Sequence, residues 1–196
     1  MVRKKEIHEQ RVRGYFIDAT KEILKSEGLK SVSVRNIADR AGYSFATLYN
    51  YFKDAKELVF HCVEDFRKEC LDYATVKAAK QPAGTRHLKA LFLAYLEYFV
   101  QYPGIYELFF KEALSDIDDN GNTTMLVVSL LPTLCEADWQ HIAKQKELSR
   151  KEVETSKSAL LLGSTGMLSL YLGRRYPSSY ASFLKEAENF IDQQLK

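Results

Sequence analysis

Chain breakers are scarce in this sequence, with 9 Gly and 4 Pro among 196 residues. That is too few for a fold of many short strands and tight turns. Cysteine is scarcer still. Cys62, Cys70 and Cys135 are odd in number, with no C-x-x-C spacing, which argues against a disulfide framework or a zinc ribbon. The four histidines, His8, His61, His87 and His141, show no H-E-x-x-H spacing. His61 and Cys62 are neighbours and point to different sides of a helix, so no metal is expected. Asp116-x-Asp118-x-Asn120-Gly121 opens like a calcium loop, but its closing position is Val127, where a bidentate Glu is required. A polar loop is expected there. Glycine-rich phosphate loops, G-x-S-x-G and nucleotide fingerprints are all missing, so no cofactor is expected. Long hydrophobic runs are missing too. The longest nearly apolar stretch, Ala159–Leu172, is interrupted by Gly163, Ser164, Thr165, Gly166 and Ser169. It also falls short of the ~20 residues a membrane span needs. Met1 leads into charged residues with no apolar signal core. The expectation is a soluble, cytoplasmic protein with no membrane partner.

What is present is hydrophobic and helical. Hydrophobic residues make up 46% of the chain, 12 Tyr and 11 Phe among them, enough to bury a sizeable core. The net charge of +2 conceals an asymmetry. Residues 1–56 hold 12 Lys/Arg against 7 Asp/Glu, whereas residues 57–196 hold 16 against 19. A basic first quarter on a mildly acidic remainder is expected where one end meets phosphate.

Apolar residues recur at helical spacing almost throughout. Val12, Phe16, Ala19, Ile23 and Leu24 make one face of a first helix, with Gly28 suited to the left-handed position past its end. Ser33 caps a short second helix carrying Val34, Ile37, Ala38 and Ala41, which Gly42 stops. Ser44 caps a third, running to about Tyr51-Phe52. Asp54 and Glu57 have capping-box spacing at the start of a fourth, whose apolar face runs from Leu58 to Cys70. Later helices are expected at about 85–101, 104–115, 122–148, 152–173 and 178–195, with Pro132 kinking or splitting the third of these. Pro103-Gly104, the polar segment 116–121 and Tyr176-Pro177 are breaks. The chain reads as all-α, about nine helices in total, with no alternating run that argues a sheet.

The segment SVRNIADRAGYSFATLYNYFKDAKEL, Ser33 to Leu58, has the layout of a helix-turn-helix: short helix, Gly turn, short helix. Ile37, Ala38, Ala41, Leu48 and Phe52 are the anchors, leaving Phe45, Ala46, Thr47, Tyr49 and Asn50 facing outward. Arg35 and Ser44 sit at helix starts, where phosphate is readily met.

These residues resemble the DNA-binding signature of TetR/AcrR-type regulators: Ile37-Ala38, Ala41-Gly42, Tyr43-Ser44, Thr47-Leu48-Tyr49-x-Tyr51-Phe52, then Lys56-Glu57-Leu58. The likeness covers about the first 55 residues. It implies a three-helix DNA-binding domain at 1–55 and a larger helical effector-binding and dimerisation domain at 56–196. It also implies roles: Arg35, Thr47 and Tyr49 on the DNA backbone, and Phe45, Ala46 and Tyr51 at base edges. The family often carries Lys where this chain has Ala55, so Lys53 or Lys56 takes that phosphate here. Apolar Phe45 and Ala46 suit thymine methyl groups. The basic leader, Arg3, Lys4 and Lys5 with Arg11 and Arg13, is a further candidate for backbone contacts.

The resemblance further implies a homodimer built on the last two long helices. Leu160, Gly163, Gly166, Met167 and Leu170 on one, and Phe183, Ala187 and Phe190 on the other, are the candidates. Tyr95, Tyr98, Phe99, Tyr102, Tyr106 and Phe110, with Met125 and Trp139, are candidate walls for a small, largely apolar or aromatic effector. The expected function is that of a transcriptional regulator, a repressor released from palindromic operator DNA by that effector. Two alternatives stand beside it: a DNA-binding regulator governed by a protein partner, and an all-helical enzyme. No constellation of titratable residues supports the enzyme.

Overall fold

The computed structural model describes residues 2–113 and 122–195. Ten α-helices run through them: α1 Val2–Ser26, α2 Val34–Ala41, α3 Phe45–Tyr49, α4 Ala55–Ala78, α5 Thr85–Gln101, α6 Pro103–Phe110, α7 Asn122–Val128, α8 Leu130–Lys146, α9 Arg150–Leu172 and α10 Tyr180–Gln194. A single 3-10 turn, Leu29–Ser31, lies between α1 and α2. The described residues contain no strand. The segment 116–121, expected to be a polar loop, lies outside the described residues, as does most of 104–115 beyond Ala113.

Packing divides the chain into two compact units, Met1–Phe66 with Tyr102–Val127, and Arg67–Gln101 with Val128–Lys196. Helix α4 gives its first half to one unit and its second to the other.

In the first unit, Val12, Phe16, Ala19 and Ile23 of α1 meet Ile37, Leu48, Phe52 and Leu58 in one buried cluster. The helical spacing of the apolar residues, rather than helix propensity, therefore fixes α1. Helix α6 packs on α1 as well. Gly104 lies so close that a Cβ there would stand 2.9 Å from the Leu24 carbonyl oxygen. Gly28 departs from the left-handed helical conformation expected of it. Its φ is 80° and its ψ is 177°, a region open essentially to glycine alone, and its N–H donates to the Ile23 carbonyl at 3.1 Å.

In the second unit, α5 packs on α8, α9 and α10. Leu88, Leu91, Phe92, Tyr95, Leu96 and Phe99 of α5 are buried there. Asp138 of α8 is 3% exposed, and its carboxylate accepts the Gly84 N–H at 2.7 Å and contacts His87 Nδ1 at 2.6 Å. This pins α8 to the start of α5. Gly163 lies beneath the Phe190 ring of α10, which a Cβ at that position would strike. The small residue thus lets α9 and α10 of one chain approach closely. Cys70 and Cys135 are buried, and burial pushes both thiols far up from their ordinary pKa, so they stay protonated and unreactive.

The single segment expected over 122–148 is two helices. The break falls at Ser129, not at Pro132. Pro132 instead occupies the first turn of α8, where its missing N–H costs nothing because that donor has no partner within the helix.

Candidate nucleic-acid interface

The helix-turn-helix is assembled by local bonds. The Ser33 hydroxyl accepts the Asn36 N–H at 3.2 Å and starts α2. Gly42, in the left-handed conformation at φ 74°, ends it, donating its N–H to Asp39 while Tyr43 donates to Ala38. Two residues on, the Ser44 hydroxyl accepts the Thr47 N–H at 3.1 Å and starts α3. Asp54 accepts the Glu57 N–H at 2.9 Å, and the Glu57 carboxylate takes the Lys53 N–H at 2.7 Å, which fixes the entry to α4. Each cap satisfies a backbone donor that would otherwise lack a partner and contributes about 1 kcal/mol.

Leu48 is the buried anchor of α3, and Phe52 follows it into the core. The rest of α3 faces solvent. Phe45 is 58% and Tyr49 55% exposed, and Ala46 and Asn50 are exposed beside them. Thr47 is half-buried, and its hydroxyl lies 2.9 Å from that of Ser44. Arg35 on the second residue of α2, Lys53 and Lys56 are all exposed. Arg35, Ser44, Phe45, Ala46, Thr47 and Tyr49 are therefore carried on two consecutive helices. Tyr51 differs: half-buried, it packs against the core with its ring 6.3 Å from that of Phe16.

Two residues that pattern reading passed over complete this surface. Tyr15, 51% exposed on α1, stacks on Tyr43 with ring centroids 6.2 Å apart. Arg13 donates to the Tyr51 carbonyl and lies 4.3 Å over the Phe52 ring, so its charge braces the turn after α3. The exposure of Tyr15 follows from its place beside the buried Phe16. The reach of Arg13 across to Tyr51 has no signal in local spacing. The leader lies within α1, where Lys4 and Lys5 are exposed.

The candidate effector residues fall in different places. Tyr95, Tyr98, Phe99 and Trp139 are buried in the second unit, and Phe99 meets Tyr95 and Tyr98 edge-on at 5.0 and 5.5 Å. Tyr106 is buried in the first unit, with Tyr102 and Phe110 half-buried there. Met125, also in the first unit, is 66% exposed. Of the candidate dimer residues, Leu160, Phe183 and Ala187 are buried within the chain. Gly166 and Leu170 are exposed, while Gly163, Met167 and Phe190 are half-buried. Among the described residues, no three His, Cys, Asp or Glu side chains are placed to hold a metal ion, and no helix is long and apolar enough to cross a membrane.

Residues 16–62 match the family model for bacterial regulatory proteins of the tetR family. No curated protein sequence matches the chain significantly. Solved structures share the fold across nearly the whole length. A TetR family transcription regulator from Marinobacter aquaeolei VT8 superposes with a TM-score of 0.64 at 18% identity, covering 96% of this chain and 97% of its own. A TetR/AcrR-family regulator from Thermobifida fusca YX-ER1 gives 0.61 at 19%, covering 94% and 96%. The regulator FadR from Bacillus subtilis, in complex with stearoyl-CoA, gives 0.68 at 11%, covering 93% and 97%.

Proposed function

From the premise that this chain is a tetR-family transcriptional regulator with that family's DNA-binding domain over residues 16–62, we propose that it is a homodimeric repressor of operator DNA, released by a small, largely apolar effector. The observation that carries the reading is α3: a helix capped at Ser44, anchored by Leu48, and exposing Phe45, Ala46 and Tyr49. Helix-turn-helix proteins insert such a second helix into the major groove. In this reading Arg35, Ser44, Thr47 and Tyr49 hold phosphates, with Lys53 or Lys56 beside them. Phe45 and Ala46 contact thymine methyl groups, and Tyr51, turned partly inward, supports them. The DNA-binding domain is residues 1–55, and residues 56–196 bind the effector and dimerise. The protein acts in the cytoplasm and is not an enzyme.

The dimer contact is proposed on α9 and α10. Leu162, 73% exposed, with Gly166, Met167 and Leu170, presents an apolar stripe without a large polar group. Two copies then set recognition helices on half-sites about one DNA turn apart, hence a palindromic operator. An apolar effector is supported by the aromatic content of the second unit and by the acyl ligand in the Bacillus subtilis FadR structure of the same fold. Tyr95, Tyr98, Phe99 and Trp139 are its proposed walls. The close packing of the first three favours a second reading, in which a protein partner, and no small ligand, governs DNA binding.

The test is selection of bound duplexes from fragmented genomic DNA at physiological salt. The wild-type protein is expected to recover a palindromic site, and Thr47→Ala/Tyr49→Ala to bind it at least about tenfold more weakly. Recovery of random fragments alone would overturn the regulator reading. Release of the operator by cell-extract small molecules, against release by protein fractions, separates the two modes of control.

A further inference from the structure

Where the end of α8, the first turns of α9 and the end of α10 meet, the second unit encloses a cavity of about 370 Å3. This lies within the range of about 300–1,000 Å3 typical of small-molecule sites. Trp139, Ile142, Leu148 and Leu195 give it an apolar floor. Trp139 is 1% exposed, and its indole N–H, buried in that wall, has no hydrogen-bond partner among the described residues. Lys146 and Lys151 stand at the rim.

The rim charges are not equally available. Lys146 donates to the Leu195 carbonyl, a bond that leaves its positive charge uncancelled. No described residue pairs with the Lys151 ammonium. Glu152, also in the lining, is committed elsewhere: its carboxylate accepts the N–H and O–H of Ser149 at 2.8 and 2.7 Å in the cap of α9. Two ammonium groups and one carboxylate leave a single net positive charge above an apolar floor. That complements one negative charge on an apolar body. A bare phosphate has too much charge and no body for the floor; an alcohol has the body and no charge.

We propose that this cavity binds a small monocarboxylate with an aliphatic or aromatic body, the body against Trp139 and Leu195 and the carboxylate at Lys146 and Lys151. Because binding is read on the protein without DNA, the proposal stands or falls separately from the regulator reading.

Trp139 is the single tryptophan of the chain, so its emission reports on the cavity directly. The full chain is titrated at neutral pH with sodium octanoate, 1-octanol and inorganic phosphate, following emission and, in parallel, calorimetric heat. A saturable response to octanoate is expected, about tenfold weaker for octanol and absent for phosphate. It should be about tenfold weaker in Lys146→Gln/Lys151→Gln, a charge-assisted contact being worth at least that factor. Both lysines are exposed, so the variant is expected to keep its helical circular dichroism and melting profile. The proposal is overturned if octanoate gives neither saturable emission change nor heat, if octanol binds as tightly, or if the folded double variant binds octanoate like wild type.

Discussion

On α3, Phe45 and Tyr49 stand more than half exposed, on a helix of five residues whose start is held by the Ser44 cap and whose hold on the core is Leu48. On α5, Tyr95, Tyr98 and Phe99 are at most 2% exposed, on a helix of 17 residues packed against α8, α9 and α10. Both helices are rich in aromatic side chains. In the first unit the core is complete without the α3 rings, because Phe16, Leu48 and Phe52 already fill it. In the second, the α5 rings are the core. Aromatic content therefore carries no functional assignment by itself; what matters is whether the surrounding elements have already closed without the ring.

Removing a ring from each class is the sharpest way to break that contrast. Phe16→Ala is expected to destabilise the protein by about 3–5 kcal/mol, through lost burial and an unfilled cavity. Phe45→Ala should change stability by no more than about 0.5 kcal/mol while weakening operator binding. Urea unfolding of both variants decides it: equal losses would make Phe45 a core residue. A smaller effect is expected at the polar tie of the second unit. Asp138→Ala leaves the Gly84 N–H buried without its acceptor and should cost about 1–3 kcal/mol. An unchanged melting point would mean that the α5–α8 packing holds without it.

The smallest effect concerns charge. Lys157 meets Glu136 at 2.7 Å. The Lys157 hydrogen bond, with one from Gln140, holds the Glu136 carboxyl below its ordinary pKa. Burial works against the charge of Lys157, yet Glu136 and Glu154 keep its pKa above the ordinary lysine value. The depressed Glu136 contributes stability above the usual carboxylate range, lost as pH falls through its folded value. The raised Lys157 contributes below the usual lysine value, lost as pH rises through its folded value. Glu136→Gln should therefore cost about 0.5–1 kcal/mol at neutral pH, discounted because the carboxylate is about half exposed, and nothing near pH 2. A cost that persists in acid would assign the effect to packing instead of charge.

How far the sequence disclosed this molecule follows from the range of each interaction. Ser33, Gly42, Ser44 and Asp54 act on backbone groups three or four positions away, so their roles were readable from spacing, as was the apolar face of α1. The bounds of α5 follow from the same periodicity. Gly28 is a local feature that spacing misjudged, because its ψ depends on the direction the chain takes into the following 3-10 turn. The division at Ser129 was displaced from Pro132 because a proline in a first helical turn is compatible with the helix. Interactions across the chain left no local trace. The Phe190 ring above Gly163, the Arg13 guanidinium at the Tyr51 carbonyl and the Asp138 contact to Gly84 join positions far apart in sequence. The exposure of Tyr15 and the burial of Tyr95 are likewise set by which elements arrive to cover them.

The seating of Gly104 on the last carbonyls of α1 bears on how this protein can be recombined. The helix that covers α1 arrives from residue 103 onward, after the chain has left the first unit and come back. A chimera that transplants residues 1–55 onto another sensor carries the recognition helix intact but leaves α6 behind. The host must then supply a helix whose backbone can approach α1 as closely as a glycine does. Successful grafts should therefore be those whose recipient offers a small residue at that one position, whatever the rest of its sequence.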